Sequence, residues 1–139
     1  MKISKKTRLR NKADALWRDA CWLKWEHRCA ICGGKAEQMH HFIPRRKSLA
    51  LRYDIANGVP VCKSCHYKIH FSGDPTFLKE YVEKLIVKRG AFWYNYIINM
   101  LGHHEANTIQ FLNDTIKRLR NFIKKYTEER GMNVEIKTD

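Results

Sequence analysis

The sequence has no long hydrophobic run. No segment approaches the about 20 consecutive apolar residues that a membrane-spanning helix requires. The basic start, residues 2–12, is not followed by the apolar stretch of a secretory signal peptide. Internal repeats and low-complexity segments are absent as well. These absences exclude a membrane protein, and the length of 139 residues predicts one domain, or one compact domain with helical appendages.

Acidic residues are scarce. The chain of 139 residues has 14 Asp and Glu against 27 Lys and Arg, which gives a formal net charge of +13. A field of that sign favours a polyanionic partner, and nucleic acid more than a membrane surface. Charge alone does not separate the many classes of protein that bind nucleic acids.

The five cysteines are an odd number, and four of them form two Cys-x2-Cys pairs. Two such pairs predict a closed tetrahedral zinc site with thiolate ligands. A redox role is disfavoured because no thioredoxin-like βαβ pattern surrounds either pair. Reduced cytosol keeps thiolates available for zinc, so we expect a cytoplasmic protein, and Cys21 is predicted to be a buried structural thiol. The predicted ligands of the structural Zn2+ are Cys29, Cys32, Cys62 and Cys65.

Hydrophobic periodicity predicts helices on both sides of the cysteine-rich centre. Apolar residues recur at helical spacing over about 11–27, and again from the sequence SGDP (72–75) to Gly90. A longer helix over about 107–129 carries a heptad seam, which either packs within the molecule or joins two copies. The seam residues are Ile109, Leu112, Ile116, Leu119, Ile123 and Tyr126.

The centre reads as two short strands, over 38–43 and 59–62, followed by a short helix over 63–71. We therefore predict an α+β fold in which a small zinc-stapled core carries flanking helices. The predicted regions are 1–28, a mobile basic arm and the N-terminal helix; 29–73, the core; and 74–139, a C-terminal helical region.

Histidines gather in the same central segment. His40 and His41 are adjacent on a strand, so their side chains point to opposite faces and can hardly serve one purpose. His66 and His70 are four apart on a helix, so they share a face and can bind one ion. One of the paired histidines can join them, and Asn57 is placed to hold the intervening loop by hydrogen bonds.

With these motifs, residues 29–70 resemble an HNH endonuclease, a member of the ββα-metal superfamily, in its four-cysteine, zinc-containing form. The matching motifs are CAIC, HHFIP, NG and CKSCHYKIH. The resemblance implies hydrolysis of DNA phosphodiester bonds with the help of one catalytic divalent cation, Mg2+, Mn2+, Ni2+ or Zn2+. A non-catalytic zinc-finger DNA-binding protein and a site-specific, homing-type HNH nuclease are the alternatives.

The resemblance also implies a role for each polar residue of the centre. His41 is the general base, expected to face solvent, and Asn57 organises the catalytic loop. His40 and His66 are ligands of the catalytic cation, and His70 is a third ligand. A histidine instead of aspartate at position 40 is an accepted variant of the family pattern.

A second resemblance extends over about residues 29–90. The run LRYDIANG followed by VPVCKSCH, with a helix behind it, is similar to the phage NinG/Rap recombination nucleases. It implies a phage-encoded enzyme that acts in the host cell on branched recombination or replication intermediates. Since two cuts across a branch favour two active sites, the heptad seam is a candidate homodimer interface.

Basic residues follow the strand that carries the proposed base. A charge run of this kind is usually a solvated loop, but its position beside His41 favours contact with DNA phosphates. The predicted DNA-binding residues are Arg45, Arg46, Lys47 and Arg52. The four tryptophans are predicted to lie in the core.

Overall fold

The structure is a computed structural model that describes residues 2–131, so the end of the predicted C-terminal region, 132–139, lies outside the described residues. The predicted α+β fold is confirmed, with helices flanking a two-stranded antiparallel sheet. The elements are α1 (Lys5–Lys24), β1 (Gln38–His41), α2 (Leu49–Arg52), a 3-10 turn (Ile55–Asn57), β2 (Gly58–Val61), α3 (Lys63–Phe71), α4 (Pro75–Arg89), α5 (Ala91–Met100) and α6 (Ile109–Glu129). The three predicted regions stay a prediction, since nothing in the fold tests their boundaries.

Helix α1 begins earlier than the hydrophobic pattern indicates. Ser4 caps it, because its hydroxyl accepts a hydrogen bond from the backbone N–H of Thr7 at 3.1 Å. Most of the segment predicted to be a mobile arm is therefore helical from Lys5 onward. An N-terminal cap can act over a polar stretch that has no apolar periodicity.

The heptad seam of α6 packs within the molecule. Leu112, Leu119 and Ile123 are buried in one core cluster with residues of α1, and these two helices form the largest contact between elements. Only the ends of the seam are open, with Ile109 41% exposed. Homodimerisation through this helix stays a prediction, but the central seam is already covered by α1.

Strand β2 is buried at all four positions because it lies between two cores. On one side Met39 of β1 joins the α1–α6 core. On the other side Val59 and Val61 pack with Leu85 of α4 and Ile97 of α5. The small hairpin thus gains its burial from helices that precede and follow it in the chain.

Gly58 allows α1 to approach the hairpin. A Cβ atom at this position would lie 2.5 Å from Sγ of Cys21 and 3.3 Å from Sδ of Met39. Cys21 is fully buried, and burial raises the pKa of its thiol. The prediction of a buried structural thiol is confirmed, and the close approach of its sulfur favours glycine at position 58.

Among the described residues, no helix combines the length and the hydrophobicity needed to cross a membrane.

Candidate metal centres and active site

Four thiols converge on one point. The Sγ atoms of the two Cys-x2-Cys pairs all lie within 4.8 Å of one another, and those of Cys32 and Cys62 are 3.8 Å apart. Tetrahedral zinc with Zn–S bonds of about 2.3 Å separates its sulfur ligands by about 3.8 Å. The donor set therefore fits the structural zinc that the spacing predicts.

The first pair is held by a tight turn. Gly33 has φ +77°, a conformation that favours glycine, and its N–H donates to the carbonyl of Cys29 at 2.9 Å. The N–H of Gly34 points at Sγ of Cys32, 3.4 Å away. The Gly-Gly sequence after the first pair thus turns the chain and donates to a thiolate ligand.

The second pair is placed by the start of α3. Cys62 is the N-cap of this helix, and its Sγ accepts the backbone N–H of Cys65 at 3.3 Å. Although burial opposes ionisation of Cys29, backbone hydrogen bonds outweigh it and lower the pKa of that thiol to about 7. Backbone donors therefore favour the thiolate form that zinc requires.

Three histidines form a second cluster, which shares α3 with the cysteine site. His40 from β1 meets His66 and His70 from α3, with ring nitrogens all within 4.8 Å of one another. The Nε2 atoms of His66 and His70 are 3.1 Å apart. Adjacent nitrogen ligands on one ion at about 2.0–2.1 Å lie about 3.0–3.4 Å apart, so the pair fits a shared cation.

Surrounding groups prepare these rings as ligands. Nδ1 of His66 lies 2.5 Å from Oε1 of Gln38, an acceptor, so Nδ1 carries the proton and Nε2 keeps its lone pair. Burial, together with a smaller effect of the neighbouring histidines, lowers the pKa of His40 to about 3. Among the described residues no carboxylate joins this cluster, and an all-imidazole set suits Zn2+ or Ni2+ better than Mg2+.

His41 lies on the opposite face of β1, as the strand alternation predicts. Its ring stacks on the indole of Trp17, with centroids 3.8 Å apart and planes 11° from parallel. Its Nε2 donates to the carbonyl of Arg52 at 3.0 Å, so the neutral ring keeps a lone pair on Nδ1. Burial lowers its pKa to about 4. The expectation of a solvent-facing base is wrong, since the ring is half-buried between two partners.

Asn57 holds the connection between the two strands. It is fully buried, and Oδ1 accepts the backbone N–H of Ile43 at 2.8 Å. Its Nδ2 donates to the carbonyls of Ile43 and Leu51, at 3.0 and 3.1 Å. The side chain ties the residues after β1 to α2, which agrees with a loop-organising role and keeps it away from direct chemistry.

Side-chain donors form hydrogen bonds to the backbone just before Asn57. Six successive carbonyls, from Leu51 to Ala56, each accept a hydrogen bond at 2.7–3.1 Å from a side chain. In order of the acceptors, the donors are Asn57, His41, Arg118, Trp17, Trp25 and Trp93. The sequence predicts core tryptophans, but it carries no signal that three indole N–H groups converge on one loop.

The predicted DNA-binding residues divide into two groups. Arg45, Arg46 and Lys47 are exposed after β1. Arg52 differs, because its guanidinium donates to both carboxylate oxygens of Asp14, at 3.1 and 2.9 Å. An arginine committed to such a bidentate pair acts within the protein, so we leave Arg52 out of the proposed DNA contact.

Residues 28–72 match the family of HNH endonucleases, and the match contains every predicted metal and catalytic residue. It confirms the resemblance read from the motifs over that segment, which is about a third of the chain. An HNH endonuclease segment indicates a DNA-cleaving protein in general. The likeness to the NinG/Rap group is not confirmed. No curated protein and no solved structure matches the chain.

Proposed function

We propose that the protein is a metal-dependent endonuclease that hydrolyses DNA phosphodiester bonds. The observation that carries the proposal is a pair of opposed histidine faces on one strand. On one face His40 joins two further imidazoles that fit a cation. On the other face the Nε2–H of His41 is bound to a carbonyl, which leaves Nδ1 able to accept a proton.

The residues suggest a division of the chemistry. Nδ1 of His41 takes a proton from water as the water oxygen bonds to phosphorus, and the P–O bond to the leaving strand breaks. A cation held by His40, His66 and His70 would polarise the phosphoryl oxygen and stabilise the leaving oxygen. Asn57 keeps the loop behind His41 in place, and the four cysteines staple the hairpin to α3 through zinc.

Plasmid cleavage tests the proposal. Supercoiled DNA is incubated with zinc-loaded protein alone, with added Mg2+, Mn2+, Ni2+ or Zn2+, and with a chelator. Nicking or linearisation that depends on the added cation is expected. Tight DNA binding without cleavage in the presence of any of these cations would overturn the proposed nuclease activity and favour a non-catalytic zinc-finger protein.

We further propose that the preferred substrate has unpaired bases, as branched recombination and replication intermediates do. Tyr67 and Phe71 stand on α3 beside the histidine cluster, 65% and 70% exposed, with ring centroids 4.9 Å apart. The Phe71 ring also contacts His70, with centroids 6.1 Å apart. Exposed aromatic rings stack on unpaired bases with little regard to sequence.

Comparison of substrates tests this refinement. Faster cutting of four-way junctions than of linear duplex is expected, and a Tyr67→Ala/Phe71→Ala variant should lose that preference while it still cuts duplex. Equal rates on both substrates would remove the branched-DNA proposal. Cleavage of one duplex sequence alone would instead indicate a site-specific nuclease. A phage-encoded, cytoplasmic setting stays a prediction.

A further inference from the structure

Helix α1, which precedes the HNH segment, contacts the proposed base directly. Trp17 is 1% exposed and contacts both the His41 ring and the loop before Asn57. Its indole ring stacks on His41, and its Nε1–H donates to the carbonyl of Asp54 at 2.7 Å. One side chain therefore holds the plane of the imidazole and the loop behind it.

The same helix is also linked to Nε2 of the imidazole, because Asp14 binds Arg52, whose carbonyl accepts from Nε2. Asp14 and Trp17 are three residues apart, so they share one face of α1. The carboxylate of Asp14 clamps the guanidinium of Arg52 with two hydrogen bonds, and the carbonyl of Arg52 accepts Nε2–H of His41. The clamp thus holds the carbonyl that selects the tautomer of the base.

We propose that Trp17 and Asp14 are positioning residues for the reaction. Trp17 holds the ring plane, and Asp14 holds the Arg52 carbonyl, so that Nδ1 of His41 keeps its lone pair in one direction. The inference rests on the proposed function, in which His41 is the base. It assigns the N-terminal helix a part in catalysis that neither the HNH motifs nor the hydrophobic pattern of α1 indicates.

If Trp17 only stabilised the loop, a different outcome would be expected, and Trp93 is the control residue that distinguishes the two roles. Trp93 is also buried, and its indole N–H donates to the carbonyl of Ala56 at 2.7 Å, in the same loop as Asp54. Its ring contacts Phe42 and not His41. If both tryptophans only stabilise the loop, their replacement by leucine should lower turnover alike once the loss of stability is matched.

The first experiment compares kcat, KM and DNA affinity of Trp17→Leu, Trp17→Phe and Trp93→Leu, each zinc-loaded and below its melting temperature. Trp17→Leu should lower kcat by about 10- to 100-fold with little change in KM, the scale of a misplaced catalytic group. Trp17→Phe should recover most of that loss because a phenyl ring still stacks on imidazole. Equal kcat in Trp17→Leu and Trp93→Leu, or no recovery with phenylalanine, would overturn the role of Trp17.

The second experiment reads the ring without reference to activity. Nitrogen-15 NMR of the His41 ring should show the Nε2–H tautomer in the wild type and a mixture in Asp14→Ala. Asp19→Ala, a matched loss of charge at an exposed position of the same helix, should leave the ring as in the wild type. An unchanged tautomer and unchanged kcat in Asp14→Ala would overturn the clamp.

The two hypotheses fail in different ways. A wild-type protein that shows one locked tautomer but cuts no DNA would overturn the proposed function while the placement of the His41 ring stands. A wild type that cuts DNA with an unordered His41 ring would overturn the positioning inference alone. If Trp17→Leu does not fold, Trp17→Phe and Asp14→Ala carry the test.

Discussion

Around His41, the neighbours decide the protonation state of the ring. Burial against Trp17 lowers the pKa from its ordinary value of 6.5 to about 4, although the hydrogen bond to the Arg52 carbonyl opposes the shift. An imidazole in water exchanges between tautomers, whereas this one is held with the proton on Nε2. The ring is therefore neutral at physiological pH, which is the state that accepts a proton.

Loss of this ring should remove cleavage with little effect on DNA binding. His41→Gln should lower the cleavage rate by about 10²-fold or more, the scale of a lost general base. Glutamine keeps a donor for the Arg52 carbonyl, whereas His41→Ala also uncovers the ring face of Trp17 and should lower stability. Plasmid cleavage measures the loss of activity, and zinc content shows whether the variant keeps its fold. A folded His41→Gln protein that cuts at the wild-type rate would rule out this base.

The same burial makes stability depend on pH. Because the folded pKa of His41, about 4, lies below its ordinary value of 6.5, the unfolded chain binds the proton first as pH falls. This contribution to stability is fully present above pH 6.5 and is lost progressively down to about pH 4. Denaturant unfolding of wild type and His41→Gln at fixed zinc should show a steeper acid loss in the wild type. If the stability of the two proteins falls in parallel as the pH is lowered, the lowered pKa of His41 would be contradicted.

The two metal clusters should respond differently to loss of one ligand. Cys29→Ser should release zinc and unfold or loosen the core, because binding energy at a structural zinc site is folding energy. His66→Ala should keep the fold and lose cation-dependent cleavage. Metal analysis, circular dichroism and plasmid cleavage separate the variants. Identical melting of both would show that the clusters do not have separate roles.

At the scale of elements, the hairpin depends on α1. Strands of four residues cannot bury a core alone, and β2 is buried only because α1 and the α4–α5 pair cover it. The strongest sign of this dependence is the contact of Gly58 with Cys21, where no side chain fits. The position of the proposed base therefore depends on how α1 docks.

The docking contact can be tested by a double-mutant cycle. Gly58→Ala should destabilise the protein by about 1–3 kcal/mol, the range for overpacking a core, because the new methyl group meets Sγ of Cys21. Cys21→Ala removes that sulfur and should recover part of the loss in the double variant. Chemical denaturation measures the coupling. Additive effects of the two substitutions would mean that the contact is not as close as the structure shows.

At the scale of the whole molecule, the heptad seam of α6 joins the C-terminal helix to α1 rather than exposing an apolar stripe. A basic, mostly helical chain is thus built around a small metal-stapled hairpin. The seam holds α1 in place, and α1 holds the ring of the proposed base. The distant C-terminal helix therefore supports the site through α1 and also directly, by the hydrogen bond from Arg118 to the carbonyl of Tyr53.

A charged side chain at a buried position of the seam should accordingly unfold the protein. Leu112→Asp should be unfolded even at low temperature and show no cooperative melting transition, since Leu112 is fully buried against α1. Ile109→Asp, at the exposed end of the same seam, is the control and should leave stability nearly unchanged. Light scattering and thermal melts measure both. A folded Leu112→Asp protein of half the wild-type mass would instead support the homodimer.

The cysteine pairs, the helical histidines and the strand histidines were predictable because each rests on local spacing. Cys-x2-Cys places two thiols on one turn, four residues bring His66 and His70 to one helix face, and strand alternation separates His40 from His41. The periodicity of α4 and α6 likewise predicts their helices. Each of these inferences needs only the geometry of one element.

The environment of the base needed contacts between distant parts of the chain. Nothing local at Trp17 indicates that its ring meets His41, at Asp14 that it clamps Arg52, or at Leu112 that its partner is α1 and not a second copy. These facts depend on how α1 packs across the hairpin and under α6. Spacing along one element cannot encode such packing, because burial and long-range hydrogen bonds arise only when the elements assemble.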